Sequence, residues 1–157
     1  TDRFSKIGSE AKLDVQDLSS SLTEIVSYLK PRISKQVELT VTIEDDVKCP
    51  HSSSLLAWVV ENISINAIDA MEGKGKLDIT LSVSPEWAHI DITDTGKGMT
   101  PKQMRTIFKP GYTTKKRGWG LGLTLVKRIV EDYHKGKVVV VESQIGVGTR
   151  FRVSIPM

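Results

Sequence analysis

Four runs of this chain alternate apolar and polar residues, and they fall into two adjacent pairs. "KLDITLSVS" and "WAHIDITD" are joined by a tight turn around Pro85 and Glu86, while "KVVVVES" and "TRFRVSI" finish the chain. Alternation with period two predicts strands that bury one face, so each pair predicts a hairpin. A further run, "VELTVTI", predicts a strand from Val37 to Ile43. A sheet with one buried face needs a second layer, and helical spacing supplies it. "VQDLSSSLTEIVSYL" puts Val15, Leu18, Leu22, Ile25, Val26 and Leu29 on one helical face, with Asp14 as N-cap and Pro31 ending the run. Pro50 and the serines at 52–54 introduce a second helix, "LLAWVVENISINAIDAM", closed by Gly73. A third buries Leu125, Val126, Ile129, Val130 and Tyr133. The order predicts an α/β two-layer sandwich: a mixed, mostly antiparallel sheet of about five strands with three helices on one face. There is no internal repeat and no linker.

Between the hairpins, Thr95 to Gly118 is rich in Gly, Lys and Thr, with a short helical piece near "PKQMRTIF". A loop of that length inside a domain usually has a function. The chain is long enough for one domain with a real core. Its net charge of +3 suits an anionic ligand but does not by itself imply nucleic acid or membrane. Tyr112 is the one aromatic within the basic stretch from Lys109 to Arg117, so no nucleic-acid surface is expected there. Cys49 is the sole cysteine, which excludes an internal disulfide and points to a reducing compartment. The longest apolar runs, "LLAWVV" and "VVVV", are far too short to span a bilayer. Opening on Thr1 rather than methionine, the chain reads as an excised fragment.

Three stretches carry chemistry. "GWGLGL" places Gly118, Gly120 and Gly122 between a basic loop and a helix. It is not the dinucleotide fingerprint, which requires glycine where Leu123 stands. Nor is there a P-loop: the four Gly-Lys pairs have Ile68, Ala70, Asp91 and Glu131 where that motif needs glycine. What remains is a set of backbone N–H groups at a helix start, suited to polyphosphate and reinforced by Lys115, Lys116 and Arg117. Alone, such a stretch equally fits a flexible turn with a solvated basic run. In "DITDTGKGM", Asp94 ends a strand and is followed by Gly96 and Gly98. A carboxylate there can accept from a ligand amine, and glycines let a flat ring approach the backbone. An ordinary Asx turn is the bland alternative. The "DTG" of aspartic proteases is the sharper one, but that chemistry needs paired carboxylates. In "ENISINAIDA", Asn62 and Asn66 share a helix face that Asp69 and Ala70 continue. Amide oxygens are hard ligands of the kind magnesium accepts.

N-x-x-x-N on a helix, D-x-G-x-G after a strand, a phenylalanine-bearing loop and G-x-G-x-G-L opening a helix resemble, in order, the boxes of sensor histidine kinases. The resemblance covers nearly the whole chain. It implies the catalytic, ATP-binding domain of a two-component kinase, within the gyrase, heat-shock chaperone, histidine kinase and mismatch-repair ATPase superfamily. Residues 11–157 would be that domain, with a mobile ATP lid over about 99–118, and residues 1–10 the end of a dimerisation helix. By position, Asn62 and Asn66 match the N box, Asn66 as the Mg2+ ligand. Asp94 matches the residue that binds the adenine amine, with Gly96, Gly98 and Met99 shaping the base pocket. Phe108 matches the box on the lid. Gly118, Trp119, Gly120, Leu121, Gly122 and Leu123 match the second glycine box, and Thr149 a threonine that closes the adenine pocket. Asp69, Thr113, Thr114, Lys115 and Lys116 complete the implied nucleotide site, Lys116 with Asn62 and Asn66 as catalytic groups.

The resemblance also implies partners: a histidine-bearing dimerisation domain, a response regulator receiver domain, and a full-length homodimer. The domain would be cytoplasmic, with a parent anchored in the inner membrane. Hydrolysing members of the superfamily carry glutamate at the position of Asn62, and an amide cannot act as a general base. Glu61 is adjacent, but one residue along a helix turns roughly 100° away. Phosphoryl transfer is therefore expected over ATP hydrolysis. A hydrolysing relative and a non-enzymatic partner-binding module are the alternatives. His51, His89 and His134 lack the context of a phosphoacceptor and are expected to be ordinary surface or strand histidines, with the acceptor upstream of Thr1.

Overall fold

A computed structural model describes residues 13–110 and 122–157. In chain order the elements are β1 (Asp14–Asp17), α1 (Leu18–Leu29), a 3-10 turn (Lys30–Arg32), β2 (Val37–Ile43), β3 (Lys48–His51) and α2 (Ser53–Ala70). They continue with β4 (Gly75–Val83), β5 (Trp87–Asp94), α3 (Pro101–Thr106), α4 (Gly122–Arg128), β6 (Lys137–Gln144) and β7 (Gly148–Pro156). The main sheet has five strands in the order β2-β4-β5-β7-β6, with β2 parallel to β4 and the other pairs antiparallel. The expected sandwich is therefore the observed one, and strand β2 has the expected bounds.

Period two sorts the sheet into two faces. On the inner face the register rows run Leu81–Ile90–Val153–Val138 and Ile79–Ile92–Phe151–Val140. All but Val140 are buried, and Val140 packs against the core from a partly buried position. Helix α2 lies against β4 and β5, α1 against α2 and β2, and α4 with its continuation against α2 and β6. Leu18, Leu22, Ile25, Val26 and Leu29 are the buried stripe of α1. Burial of that many aliphatic side chains, each contributing about 1.5–3 kcal/mol, is what holds the layers together.

The first helix begins later than its pattern suggests. Asp14–Asp17 pairs with Lys48–His51 in a separate two-stranded antiparallel sheet, and Asp17, not Asp14, is the N-cap, accepting from the Ser20 N–H at 3.2 Å. Val15 consequently faces solvent at 70% exposure instead of joining the core. The partner strand "KCPH" contains a proline, which removes a ladder donor and disguises it in sequence. Helix α2 starts as the serines suggest, with the Ser52 hydroxyl accepting from Leu55, and Gly73 follows its end at φ +79°.

The histidines are not surface residues as a group. His51 is fully buried on β3; its Nδ1–H donates to the Cys49 carbonyl and its Nε2 accepts from the Ser21 hydroxyl, each at 2.9 Å. His134 is 2% exposed. Its Nδ1–H donates to the Ile129 carbonyl at 2.9 Å, and its Nε2 accepts from the Ser52 N–H at 3.1 Å. The His134 backbone N–H also bonds Ile129, five residues back, and α4 continues over Ile129–Tyr133 as a π turn. Desolvation lowers the pKa of both rings, so each is a neutral strut rather than a proton carrier.

Candidate functional site

The inner face of the sheet changes character at one end. Where the rows above are aliphatic, the terminal row reads Leu77–Asp94–Thr149–Ser143. Asp94 therefore points its carboxylate toward the helical layer from the last residue of β5, at only 4% exposure. Burial raises its pKa, partly offset by hydrogen bonds from the backbone N–H groups of Gly96 and Thr149; the Gly96 contact is 2.8 Å. Among the described residues no ion pair neutralises Asp94. Three residues earlier, on the opposite face, Asp91 is treated differently. Arg150 and Arg152 each donate two hydrogen bonds to it. Burial would raise the Asp91 pKa, but the two guanidiniums outweigh it and hold the carboxyl below its usual range.

In front of Asp94 lies a cavity of about 210 Å³. Helix α2 supplies Asn66, Ala67, Asp69 and Ala70; the segment after β5 supplies Lys97, Gly98 and Met99. Gln103 and Ile107 enclose it from the α3 side, Leu123 from α4, and Thr149 with Phe151 from β7. The sequence-derived residues Asn66, Asp69, Asp94, Gly98, Met99, Leu123 and Thr149 thus converge from five segments of chain.

Glycines let those segments approach. A Cβ on Gly96 would lie 2.7 Å from the Ala70 carbonyl carbon and oxygen, and the neighbouring Lys97 N–H donates to that same carbonyl at 3.1 Å. Gly98, at φ +74°, sits so close to the end of β6 that a Cβ would fall 2.1 Å from the Gln144 oxygen. The room vacated by these glycines is thus taken by the protein's own backbone, which fixes the loop that frames the cavity.

Asn62 is not a cavity-lining residue. Its Nδ2 donates to the Trp58 carbonyl at 2.8 Å, and its Oδ1 lies 3.5 Å from where a Cβ on Gly122 would stand. The amide is thereby oriented with its oxygen toward the start of α4. Glu61 faces elsewhere: it lines a groove with Glu24, Ile25 and Tyr28 between α1 and α2. Phe108 packs edge-on against Phe151, centroids 6.2 Å apart, and its carbonyl accepts from the Thr124 hydroxyl at 3.0 Å. Thr113, Thr114, Lys115, Lys116, Gly118, Trp119, Gly120 and Leu121 lie outside the described residues.

Sequence reasoning missed Ala67, Lys97, Gln103, Ile107 and Phe151. Phe151 was within reach, since a strand residue two beyond Thr149 shares its face. Lys97 sits between two motif glycines. Gln103 is fixed by a reciprocal capping box with Thr100, at 2.8 and 3.2 Å. Among the described residues no group of three His, Cys, Asp or Glu side chains is placed to hold a metal. Helix α2 offers hard oxygens to the cavity in the Asn66 amide and the Asp69 carboxylate. They suit magnesium, which takes few protein ligands and keeps phosphate and water for the rest. No helix among the described residues is long and apolar enough to cross a membrane.

Residues 51–157 match the family model described as histidine kinase-, DNA gyrase B-, and HSP90-like ATPase. The sensor histidine kinase ZraS of Escherichia coli K12 is 34% identical over 146 residues, which is 92% of this chain and 30% of ZraS. The chain thus spans about a third of that relative. The catalytic domain of histidine kinase ThkA superposes with a TM-score of 0.83 at 26% identity, covering 93% of this chain and 96% of that one. ThkA in complex with the response regulator protein TrrA superposes at 0.78, with 23% identity, covering 92% and 41%. The cavity under Asp94 lies in the fold shared with these proteins, and the chain belongs to the histidine kinase-, DNA gyrase B- and HSP90-like ATPase family as a homologue of the ATP-binding catalytic domains of sensor histidine kinases.

Proposed function

We propose that this domain binds Mg–ATP in the cavity under Asp94 and transfers the γ-phosphoryl group to a histidine on a dimerisation domain of the same protein. The observation that carries the reading is Asp94 itself: a buried carboxylate lining a cavity, not ion-paired among the described residues, is suited to receive an exocyclic amine. Met99, Ile107, Leu123 and Phe151 supply apolar surface for a flat base. Asn66 would contribute its amide oxygen to magnesium, which when bound would neutralise developing phosphate charge. Lys115 and Lys116, the glycines from Gly118 to Gly122, and Thr113 and Thr114 are proposed for the phosphates.

The chemistry left to the protein is positioning and charge compensation. Asn62 supports transfer over hydrolysis, because an amide cannot abstract a proton from water. Glu61, which could, lines the α1–α2 groove. Residues 1–10 are proposed as the end of the dimerisation helix, the full-length protein as a homodimer, and the domain as cytoplasmic. A response regulator is the proposed next acceptor, by analogy with the ThkA–TrrA complex.

The test mixes the chain with a separately made dimerisation helix pair, magnesium and γ-labelled ATP. Acid-labile label on the partner is the expected result; label appearing only as free phosphate would favour the hydrolysing alternative. Asp94→Asn should bind ATP about ten- to a hundredfold more weakly, and a variant that binds ATP normally would end the adenine assignment.

A further inference from the structure

Ser143, near the end of β6, makes three polar contacts at once. Its Oγ accepts from the Met99 N–H at 2.8 Å, lies 2.7 Å from the Thr149 Oγ1, and lies 3.3 Å from the Gly148 carbonyl oxygen. A hydroxyl carries one proton and two lone pairs. The Met99 N–H can only donate, and the Gly148 carbonyl can only accept. One proton assignment satisfies all three contacts: Met99 N–H and Thr149 O–H both donate to Ser143, and the Ser143 O–H donates to Gly148. Thr149, which lines the cavity, has then used its only hydroxyl proton and has lone pairs alone to offer there. Asp94, opposite Thr149 in the β5–β7 register, is also purely an acceptor when ionised.

We propose that Ser143 is a specificity-determining positioning residue: by holding the Thr149 proton it keeps the base end of the cavity acceptor-only, which selects a purine with an exocyclic amine over one with a carbonyl. The inference rests on the nucleotide-binding reading above and names a residue that never lines the cavity itself. Ser143 acts through two neighbours, tethering the framing loop at Met99 and setting the polarity of Thr149. Without its oxygen the Thr149 hydroxyl is free to rotate and donate into the cavity, where a carbonyl-bearing base would accept.

The test measures ATP and inosine triphosphate affinities for the 157-residue chain and its Ser143→Ala variant, with melting curves to confirm folding. The ATP preference should fall by about five- to tenfold, the worth of one net hydrogen bond, and Ser143→Thr, which keeps the hydroxyl, should restore it. Equal weakening of both nucleotides would reduce Ser143 to a loop tether and overturn the proposal, as would an unchanged preference. Should Ser143→Ala not fold, Thr149→Val must show the same loss of preference, and retention there refutes the proposal. A wild-type chain that binds neither nucleotide would sink the nucleotide reading and this proposal with it. Wild-type binding with an unaltered preference in the variants sinks this proposal alone.

Discussion

Gly98→Ala tests how the cavity's frame is held. Gly98 has φ +74°, a region that costs an L-residue about 1–2 kcal/mol. The added Cβ would also stand 2.1 Å from the Gln144 carbonyl oxygen, 2.5 Å from its carbon and 2.9 Å from the Ile145 nitrogen. All three are backbone atoms, so no side chain can rotate away, and the loop and the end of β6 must part by more than an ångström. Two hydrogen bonds span that junction: Met99 N–H to Ser143 Oγ at 2.8 Å, and Gly146 N–H to the Lys97 carbonyl at 2.9 Å. At about 1 kcal/mol each, their loss brings the expected destabilisation to about 3–4 kcal/mol, or roughly 10 °C in Tm for a chain of this size.

Gly146→Ala is the internal control. Gly146 has almost the same backbone, φ +80°, but nothing lies within 4 Å of its added Cβ. It should pay the conformational cost alone, about 1–2 kcal/mol. The assay is calorimetric melting of both variants, alongside ATP affinity. Gly98→Ala should lose affinity because Met99 is displaced, while Gly146→Ala should not. Equal melting shifts for the two variants would refute the reasoning, since the difference between them isolates the backbone contact.

Acidification should destabilise the domain from below about pH 6.5, the ordinary histidine value. Burial lowers the folded-state pKa of His51 and His134, so their contribution is complete above the unfolded value and is lost as pH falls toward the folded one. Urea melts at stepped pH check this; a midpoint that stays flat from pH 7 to 5 would contradict it. Glu61→Gln should leave ATP binding and phosphate release unchanged, because Glu61 lines the α1–α2 groove. A marked fall in steady phosphate release, measured by a coupled colorimetric assay, would restore the hydrolysing alternative.

Much of this architecture is legible without coordinates because it is written in local periodicity. The alternation in "KLDITLSVS" and "WAHIDITD" fixes which residues face the helices, and it places Asp94 on the same side as Ile90 and Ile92. What local pattern cannot carry is pairing between distant segments. β1 and β3 are four residues each, with Pro50 in one and a helix-like apolar spacing running through the other. His134 reads as the end of a helix, yet its ring is fixed by Ser52, eighty-two residues away. Ser143 is hidden for a similar reason: a register irregularity between Val140 and Glu142 shifts the parity of β6, so counting along the strand does not set it beside Thr149.

The two buried aspartates of β5 make opposite predictions. Asp91 is compensated within the protein, by four hydrogen bonds from Arg150 and Arg152. Among the described residues Asp94 has only backbone donors, and burial leaves its charge disfavoured. Asp91→Asn strands two guanidiniums over a neutral amide and should destabilise the domain by about 2 kcal/mol. That is less than the 3–5 kcal/mol of a fully buried pair, because about a third of each arginine side chain faces water and is screened. Asp94→Asn keeps an oxygen for the Gly96 and Thr149 N–H groups while removing the buried charge. It should melt at or above the wild-type temperature and yet bind ATP about ten- to a hundredfold more weakly, the worth of a charged hydrogen bond. A fold that tolerates an uncompensated carboxylate gains nothing from it in the free state, so the benefit must come from what binds there. Melting curves and nucleotide titrations on both variants separate the roles. If Asp94→Asn melted markedly lower than wild type, Asp94 would be a structural group like Asp91, and the argument that its charge is held for a ligand would fail.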